Sequence, residues 1–322
     1  MHDALPPATP PAASDGNAWE RMHRWVGGGV ARGHDQALVG HRIDWLRALP
    51  FIALHLGCLA VFWVGVSPVA VLVAVALYAL RMFAITAFYH RYFSHRAFRT
   101  SRAVQGIFAA IGASCVQRGP LWWAAHHRHH HRHADTEHDP HSPARRGFLW
   151  SHVGWFLTDE AFATDHRRVQ DLVRFRELRW LDRYDTAVPV LLAVALYALG
   201  ELLQHLAPGL GTSGPQMLVW GFFISTVVLF HATVTINSLA HRFGRRRFAT
   251  GDDSRNNLWM ALLTFGEGWH NNHHFYPGSA RQGFRWYEVD LTWYVLRVMQ
   301  SLGLVWDLRP VPAWVMDKAV RR

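Results

Sequence analysis

Two long stretches of this chain contain almost no charged residues. Among the 322 residues, the stretch 48–80 contains none and the stretch 186–240 contains one, Glu201. Each stretch is long enough to cross a bilayer twice, since one crossing takes roughly 20 apolar residues. Ser67-Pro68 divides the first stretch, and a polar run with Gly and Pro at 204–216 divides the second. We therefore predict four membrane helices, at about 48–66, 69–88, 186–205 and 217–237.

Cysteine is also scarce. The chain has two cysteines, Cys58 and Cys115, and no CxxC pair. This excludes a disulfide framework, and we expect two buried, reduced thiols. The segment before residue 48 has no apolar signal core, so no cleaved signal peptide is predicted.

Positive charge is missing from particular places. The formal net charge is +10, yet no Lys or Arg lies within 48–80 or between Asp185 and His241. Both predicted outer loops therefore lack positive charge, and the positive-inside rule places both termini in the cytoplasm. This distribution is typical of an inner membrane face, and we do not expect nucleic-acid binding. Arg81, near the predicted inner end of the second helix, is expected to snorkel to the interface.

The topology predicts an all-α integral membrane protein with a cytoplasmic helical cap. Two further apolar segments, 103–117 and 291–306, are too short to cross, and we expect them to lie on the bilayer surface as amphipathic helices. The expected parts are a loose cytoplasmic N-terminal segment at 1–42, a membrane domain at 43–310 whose cap comprises 89–185 and 238–310, and a C-terminal tail at 311–322.

Histidine, in contrast, is abundant and clustered. Ten of the 23 histidines fall in the motifs HRYFSH, HRHHH, NSLAH and HNNHH, and all of them except His129 are candidate metal ligands. Neutral imidazole is the commonest metal ligand, and nine rings are too many for one ion with four ligands, so we predict a site for two metal ions. The nine are His90, His95, His127, His130, His131, His241, His270, His273 and His274.

The spacing of these histidines indicates how they converge. In each HxxHH motif the rings stand at i, i+3 and i+4, on one face of a helix, so each motif is expected to present one cluster. His90 and His95 converge only if the helix ends or kinks between them, and we expect His90 on a helix and His95 just past its end. In the predicted topology all nine rings emerge on the cytoplasmic side.

The motifs resemble those of the membrane fatty acyl desaturases, in particular the acyl-CoA Δ9 (stearoyl-CoA type) group. HRYFSH is similar to the family's HxxxxH box, HRHHH and HNNHH to its two HxxHH boxes, and NSLAH to its NSxxH segment. The flanking runs DPHSPARRGFLWSHVGW and GEGWHNNHHFYPGSAR also match, and the resemblance covers roughly 43–308. It implies that the nine histidines bind two iron ions, that O2 is a co-substrate, and that Asn237 holds a metal-bound water.

The resemblance implies O2-dependent desaturation, expected at Δ9 of a saturated acyl-CoA. Three alternatives stay open: an acyl-lipid or acyl-carrier-protein substrate, a related di-iron hydroxylase that shares the histidine boxes, and a metal transporter or storage protein. The last is disfavoured because transport sites lie at membrane depth, whereas these clusters lie beyond the helix ends.

Other side chains near the motifs are candidates for supporting roles. Aromatic residues expected to line an acyl tunnel, or simply to pack in the core, are Trp122, Trp123, Trp155, Phe156, Phe265 and Trp269. Arginines that would receive the phosphates of CoA, or face anionic lipid, are Arg128, Arg145, Arg146, Arg167 and Arg168. Carboxylates that would orient ligand rings are Asp135, Asp139 and Glu267. The histidines next to the second box that we do not expect to be ligands are His126, His129, His133, His138, His141 and His152.

Two further motifs are missing, and they bear on the supply of electrons. The chain has no GxGxxG fingerprint and no cytochrome b5-like haem segment after residue 308. A separate donor, a ferredoxin or a cytochrome b5, is therefore expected. A basic cytoplasmic face would attract an acidic donor.

Overall fold

The computed structural model describes residues 42–319. The loose segment predicted at 1–42 therefore lies outside the described residues except for Arg42, as do the last three residues of the predicted tail. The described part of the tail contains a short helix, Ala313–Asp317, whose Val315 packs with Phe248 and Phe284 of the cap. Cys58 and Cys115 are both free thiols, half-buried and buried respectively.

Four helices are long and apolar enough to cross a membrane, as predicted. We call them the first to fourth membrane helices: Trp45–Val64, Pro68–Ser94, Ala187–Leu206 and Gly214–Ser238. The second begins at Pro68, because the Ser67 hydroxyl accepts a hydrogen bond from the Ala70 amide and Pro68 occupies the first turn. Its C-terminal end, Ser94, lies six residues beyond the predicted end at 88.

The C-terminal part of the second membrane helix is a π-helix, Ala84–Ser94, in which every residue is buried. Such a wide turn is rare and is frequently found at functional sites. It carries His90, and the helix ends immediately before His95. The prediction that His90 lies on a helix and His95 just past its end is therefore confirmed.

Arg81 does not snorkel to the interface, so that prediction is wrong. The side chain is 1% exposed and donates hydrogen bonds to the Thr226 hydroxyl (2.8 Å), the Ser114 carbonyl (3.3 Å) and the Ser225 hydroxyl. The helix continues to Ser94, so Arg81 lies too far from the helix end to reach water. The polar groups of the neighbouring helices satisfy its donors instead.

The cap is formed by the segments after the second and fourth membrane helices. An antiparallel pair of two-residue strands, Arg99–Thr100 and Val305–Trp306, joins the two segments. The helices of the cap and of the short connections are Arg102–Ala113, Pro120–His133, Pro143–Arg146, Trp150–Gly154, Trp155–Leu157, Asp159–Phe162, His166–Val169, Gln170–Val173, Arg176–Arg183, Pro208–Leu210, Leu258–Leu263, His270–Phe275, Leu291–Ser301 and Ala313–Asp317.

The two short apolar segments form helices of 12 and 11 residues, Arg102–Ala113 and Leu291–Ser301. Both are shorter than the roughly 20 residues of a crossing. Leu291–Ser301 buries Leu296 and Met299 against the core and leaves Val298 exposed. An apolar face left uncovered on a short helix is consistent with the expected position on the bilayer surface.

A line of hydrogen bonds joins the first and fourth membrane helices to the cap. His55 Nε2 lies 2.9 Å from His231 Nε2, and His231 Nδ1 lies 3.0 Å from His152 Nε2. His152 Nδ1 lies 2.9 Å from the Ser238 hydroxyl. We call these four side chains the polar seam. It fixes Trp150–Gly154 beside the C-terminal end of the fourth membrane helix.

Candidate metal centre

The nine predicted histidines converge in two groups. In each group every ring offers a nitrogen that lies within 4.8 Å of the others. We call the groups the five-histidine site and the four-histidine site. The five-histidine site contains His90, His95, His127, His131 and His273, and the four-histidine site contains His130, His241, His270 and His274.

Each HxxHH motif is divided between the two sites, which corrects the expectation of one cluster per motif. A helix turns about 100° per residue, so i and i+4 lie about 40° apart while i+3 lies about 60° to the other side. On helix Pro120–His133, His127 and His131 accordingly join one site and His130 the other. Helix His270–Phe275 repeats the division in reverse, because only His273 joins the five-histidine site.

The spacing of the ring nitrogens fits metal binding. The Nε2 atoms of His90 and His131 each lie 2.9 Å from that of His273, and those of His95 and His127 lie 2.8 Å apart. Two nitrogens bound at 2.0–2.1 Å to one ion would be about 2.9 Å apart at a right angle and about 3.3 Å apart at a tetrahedral angle. Three nitrogen pairs have the shorter spacing, and the five rings of this site exceed the four ligands of a tetrahedral structural zinc.

Most of the rings are held neutral, as metal binding requires. Burial, reinforced by the neighbouring imidazoles, puts the pKa of His95, His127 and His131 well below its ordinary value. The same causes lower the pKa of His273 and His270. A neutral ring keeps a lone pair for an ion without first losing a proton.

Three of the four rings in the four-histidine site have a carboxylate at Nδ1. His130 lies 3.1 Å from Asp139, and His241 lies 2.7 Å from Asp135. His274 lies 3.0 Å from Asp252. An ionised carboxylate only accepts, so each ring donates from Nδ1 and turns the lone pair of Nε2 toward the centre of the site.

These carboxylates and rings influence each other's charge. Burial alone would raise the pKa of Asp139, but the charges of His130 and His141 and its hydrogen bonds lower it instead. Burial would lower the pKa of His130, but the charge of Asp139 raises it above the ordinary value. Asp139 therefore favours positive charge on His130, whereas burial lowers the pKa of His270 and His274 in the same site.

The five-histidine site has one carboxylate partner among the described residues. Glu267 contacts Nδ1 of His90 and also lies 3.0 Å from the guanidinium of Arg91, which pairs with Asp290 at 3.0 Å as well. Gln282 donates at 2.9 Å to the same Glu267 oxygen that contacts His90. The negative charge behind His90 is therefore shared with a fully buried arginine.

The three carboxylates predicted to orient ligand rings all contact one, and a fourth was missed. Asp135, Asp139 and Glu267 lie close to the second and third motifs in the sequence. Asp252 lies in a GDDS loop that belongs to no histidine motif, 22 positions before His274. A polar loop carries no periodic signal, so only the folded cap reveals this contact.

An apolar cavity of about 430 Å³ reaches the site between the membrane helices and the cap. His127 and Asn237 both line it, together with four of the six predicted aromatic residues: Trp122, Trp123, Trp155 and Phe156. Phe265 packs against Tyr78 instead, and the Trp269 indole donates to the Val289 carbonyl. The Asn237 side chain makes no hydrogen bond to any residue between 42 and 319.

Three of the five predicted arginines are paired with carboxylates of the chain. Arg128 donates to Asp171 at 2.8 and 3.0 Å and to the carbonyls that precede His95. Arg167 and Arg168 lie 2.9 and 3.0 Å from Asp165. These contacts account for much of their donor capacity without a ligand.

The histidines that were not expected to be ligands lie outside both sites. His126 packs between Trp122 and Trp155, so the second motif starts at His127, as predicted. His129 lies 2.9 Å from the His138 carbonyl. His141 lies behind the four-histidine site, 3.5 Å from Asp139, and His152 belongs to the polar seam.

Comparison with known proteins agrees with this geometry. The family model described as fatty acid desaturase matches residues 66–308. An sn-1 stearoyl-lipid 9-desaturase of Anabaena variabilis is 37% identical over 275 residues, which are 83% of this chain and 94% of that protein.

Two plant relatives match a smaller share of their own length. A chloroplastic palmitoyl-monogalactosyldiacylglycerol delta-7 desaturase of Arabidopsis thaliana is 38% identical over 66% of this chain and 54% of that protein. An icosanoyl-CoA 5-desaturase of Limnanthes douglasii is 37% identical over 66% of this chain and 57% of that protein. With the family model covering 66–308 and the Anabaena protein matched almost throughout, this chain belongs to the fatty acid desaturase family.

Proposed function

We propose that this oxidoreductase uses O2 to desaturate a fatty acyl chain at two iron ions, one in each histidine site. The observation that carries the proposal is the convergence of nine buried or half-buried histidines on two adjoining points at the wall of an apolar cavity. Iron, when bound, supplies the oxidising chemistry that removes hydrogen from unactivated methylene groups, which no side chain can do.

The residues of the chain would hold the ions and position the substrate. The apolar walls of the cavity, with Trp123 and Trp155 among them, exclude water and hold the acyl chain extended past His127. Asn237 lines the same cavity with an unengaged side-chain amide. We assign it the role of holding a water at one ion.

For the headgroup we propose a membrane lipid, with Δ9 as the position of the double bond. The Anabaena relative, matched over nearly its whole length, is a stearoyl-lipid 9-desaturase by name. The pairing of Arg128 with Asp171, and of two further arginines with Asp165, weakens the case for a CoA phosphate site there. Acyl-CoA, which the motifs resemble, is the second candidate, and one relative carries that substrate in its name.

Expression of the full chain in a host that lacks unsaturated fatty acids tests the reaction. We expect products two hydrogens lighter than the saturated chains, with the double bond at carbon 9. A gain of one oxygen would indicate the hydroxylase instead. Supplying labelled acyl-CoA or labelled phospholipid to membranes that hold the protein separates the two headgroups, and product from acyl-CoA alone would overturn the lipid assignment.

The role of Asn237 is tested by Asn237→Ala. Because the amide would lose its water, we expect the rate of product formation to fall by about 10–100-fold, the range typical of an outer partner of a metal site. Thr233→Val is the matched control, since Thr233 lines the same cavity from the same helix. Full activity in Asn237→Ala would remove Asn237 from the mechanism.

We further propose that the cap faces the cytoplasm and takes electrons from a ferredoxin or cytochrome b5-type donor. The net charge of +10 and the placement of Lys and Arg support both points. Activity driven by an acidic donor should fall as salt rises, because screening weakens the attraction between the two surfaces. A flat dependence on ionic strength would contradict electrostatic docking.

A further inference from the structure

We propose that the two metal positions are unequal, and that the four-histidine site holds its ion more tightly than the five-histidine site. The proposal rests on the proposed two-metal function, and it runs against the simple count of ligands. It follows from the groups that stand behind the rings.

The four-histidine site has three anionic partners at ring nitrogens. Asp139, Asp135 and Asp252 lie 2.7 to 3.1 Å from Nδ1 of three of its four rings. The five-histidine site has one such partner, Glu267, for five rings. A hydrogen bond from Nδ1 to a carboxylate fixes the ring and makes the opposite nitrogen a stronger ligand.

The charged groups behind the two sites also differ, and this difference again favours tighter binding at the four-histidine site. Glu267 and Asp290 both pair with Arg91, so these three buried groups carry a formal charge of −1 behind the five-histidine site, against three carboxylates behind the other site. The anions behind the other site accept mainly from imidazoles, hydroxyls and backbone amides: Asp135 from Ser142 and the Asp253 amide, and Asp252 from the Ser254 amide. Arg146 lies near enough to Asp139 for their charges to interact, but it is only partly buried.

Burial makes this negative charge effective. The side chain of Asp139 is fully buried, and those of Asp135 and Asp252 are 7% and 11% exposed. Electrostatic attraction is stronger in such surroundings than at a surface, because little water screens it. A divalent ion at the centre of the four rings relieves the repulsion among the three carboxylates.

Metal affinity depends both on the carboxylates behind the rings and on the number of rings, so the two effects must be compared. Loss of one outer partner typically lowers metal affinity by about 10–100-fold. The four-histidine site has two more such partners than the other site, which together outweigh one additional neutral imidazole. We expect the affinities of the two sites to differ by at least about 10-fold on this scale.

The test follows metal loss from the intact protein. The full chain, purified with two iron ions per chain, is exposed to a ferrous chelator without O2, and the metal content is measured by mass spectrometry over time. We expect two phases with a plateau near one ion per chain. Loss of both ions in a single phase would overturn the proposal.

Substitutions identify which site keeps its ion. Asp252→Asn preserves the shape and removes the charge, so it should accelerate the slow phase by about 10–100-fold and leave the fast phase unchanged. Glu267→Gln should affect only the fast phase. Glu137→Gln, at an exposed carboxylate in the loop that carries Asp135 and Asp139, is the control and should change neither phase. Acceleration of the fast phase by Asp252→Asn would reverse the assignment.

Two ligand variants complete the test and cover the case in which Asp252→Asn does not fold. His95→Ala should leave one slowly released ion, and His241→Ala one rapidly released ion; the opposite pattern would overturn the proposal. A wild-type chain that holds no metal and forms no product would refute the proposed function itself. Two ions lost at one rate from an active enzyme would refute only the inequality.

Discussion

The five-histidine and four-histidine sites use the same two HxxHH motifs, yet their surroundings differ. In one, Glu267 serves His90 and shares its charge with Arg91. In the other, carboxylates contact three of four rings. Helical spacing thus distributes the ligands, whereas carboxylates in loops, some near and some distant in sequence, set the charge around them. Two positions with the same ligand chemistry can therefore have different affinities.

The largest effect should come from removing one ligand histidine from either of the two sites. His130→Ala and His273→Ala each take one ring from a different site, and we expect each to abolish the product, because both ions are needed. His129→Ala, whose ring lies outside both sites, should retain most activity. Fatty acid analysis of the expressing cells measures all three. Substantial product from either ligand variant would show that one site is dispensable.

The buried cation of the five-histidine side should matter most for stability. Arg91→Leu leaves Glu267 and Asp290 buried without their partner, so we expect the free energy of unfolding to fall by about 3–5 kcal/mol. Thermal unfolding in detergent measures the change. Arg102→Leu is the control, because it breaks an exposed pair with Glu177 and should have little effect. Equal shifts in the two variants would remove the distinction drawn for Arg91.

A carboxyl outside both sites, on the wall of the same cavity, shows what burial does without imidazole partners. Burial raises the pKa of Asp185 to about 6, although Arg118 lies 3.1 Å away. A raised pKa means that folding favours the neutral form, so this group costs stability above pH 6 and costs nothing below its unfolded value near pH 4.

Asp185→Asn should therefore increase the free energy of unfolding at pH 8 by about 1–2 kcal/mol, less than the full pKa shift implies because Arg118 loses its partner. The gain should shrink as the pH falls through 6. Thermal unfolding of both proteins between pH 8 and 5.5 measures it. A gain that grows on acidification would have the wrong sign.

The sequence predicted most of the fold because its strongest signals are local. Charge-free stretches place the four membrane helices to within six residues, and the spacing of His90 and His95 predicts where the second one ends. The largest boundary difference falls on the π-helix, whose polar residues hide its length from a hydropathy argument. Arg81 was misplaced for the same reason.

Two features of the site differ in how well the sequence could predict them. The split of His130 from His127 and His131 follows from helical geometry and was available from the spacing alone. The contact of Asp252 with His274 was not, because it depends on how the GDDS loop folds over the cap. Local periodicity predicts which ligands share a face, but long-range packing determines what supports them.

The hydrogen bonds of the polar seam all run in one direction, from Ser238 toward His55. His55 Nδ1 lies 2.7 Å from the Phe51 carbonyl, which only accepts, so His55 donates there and must accept at Nε2. With neutral rings, His231 then donates to His55, His152 donates to His231, and Ser238 donates to His152, so one main-chain oxygen dictates every tautomer. An additional proton can enter only at the serine end, where the hydroxyl can turn to the Val234 carbonyl at 3.0 Å and accept instead.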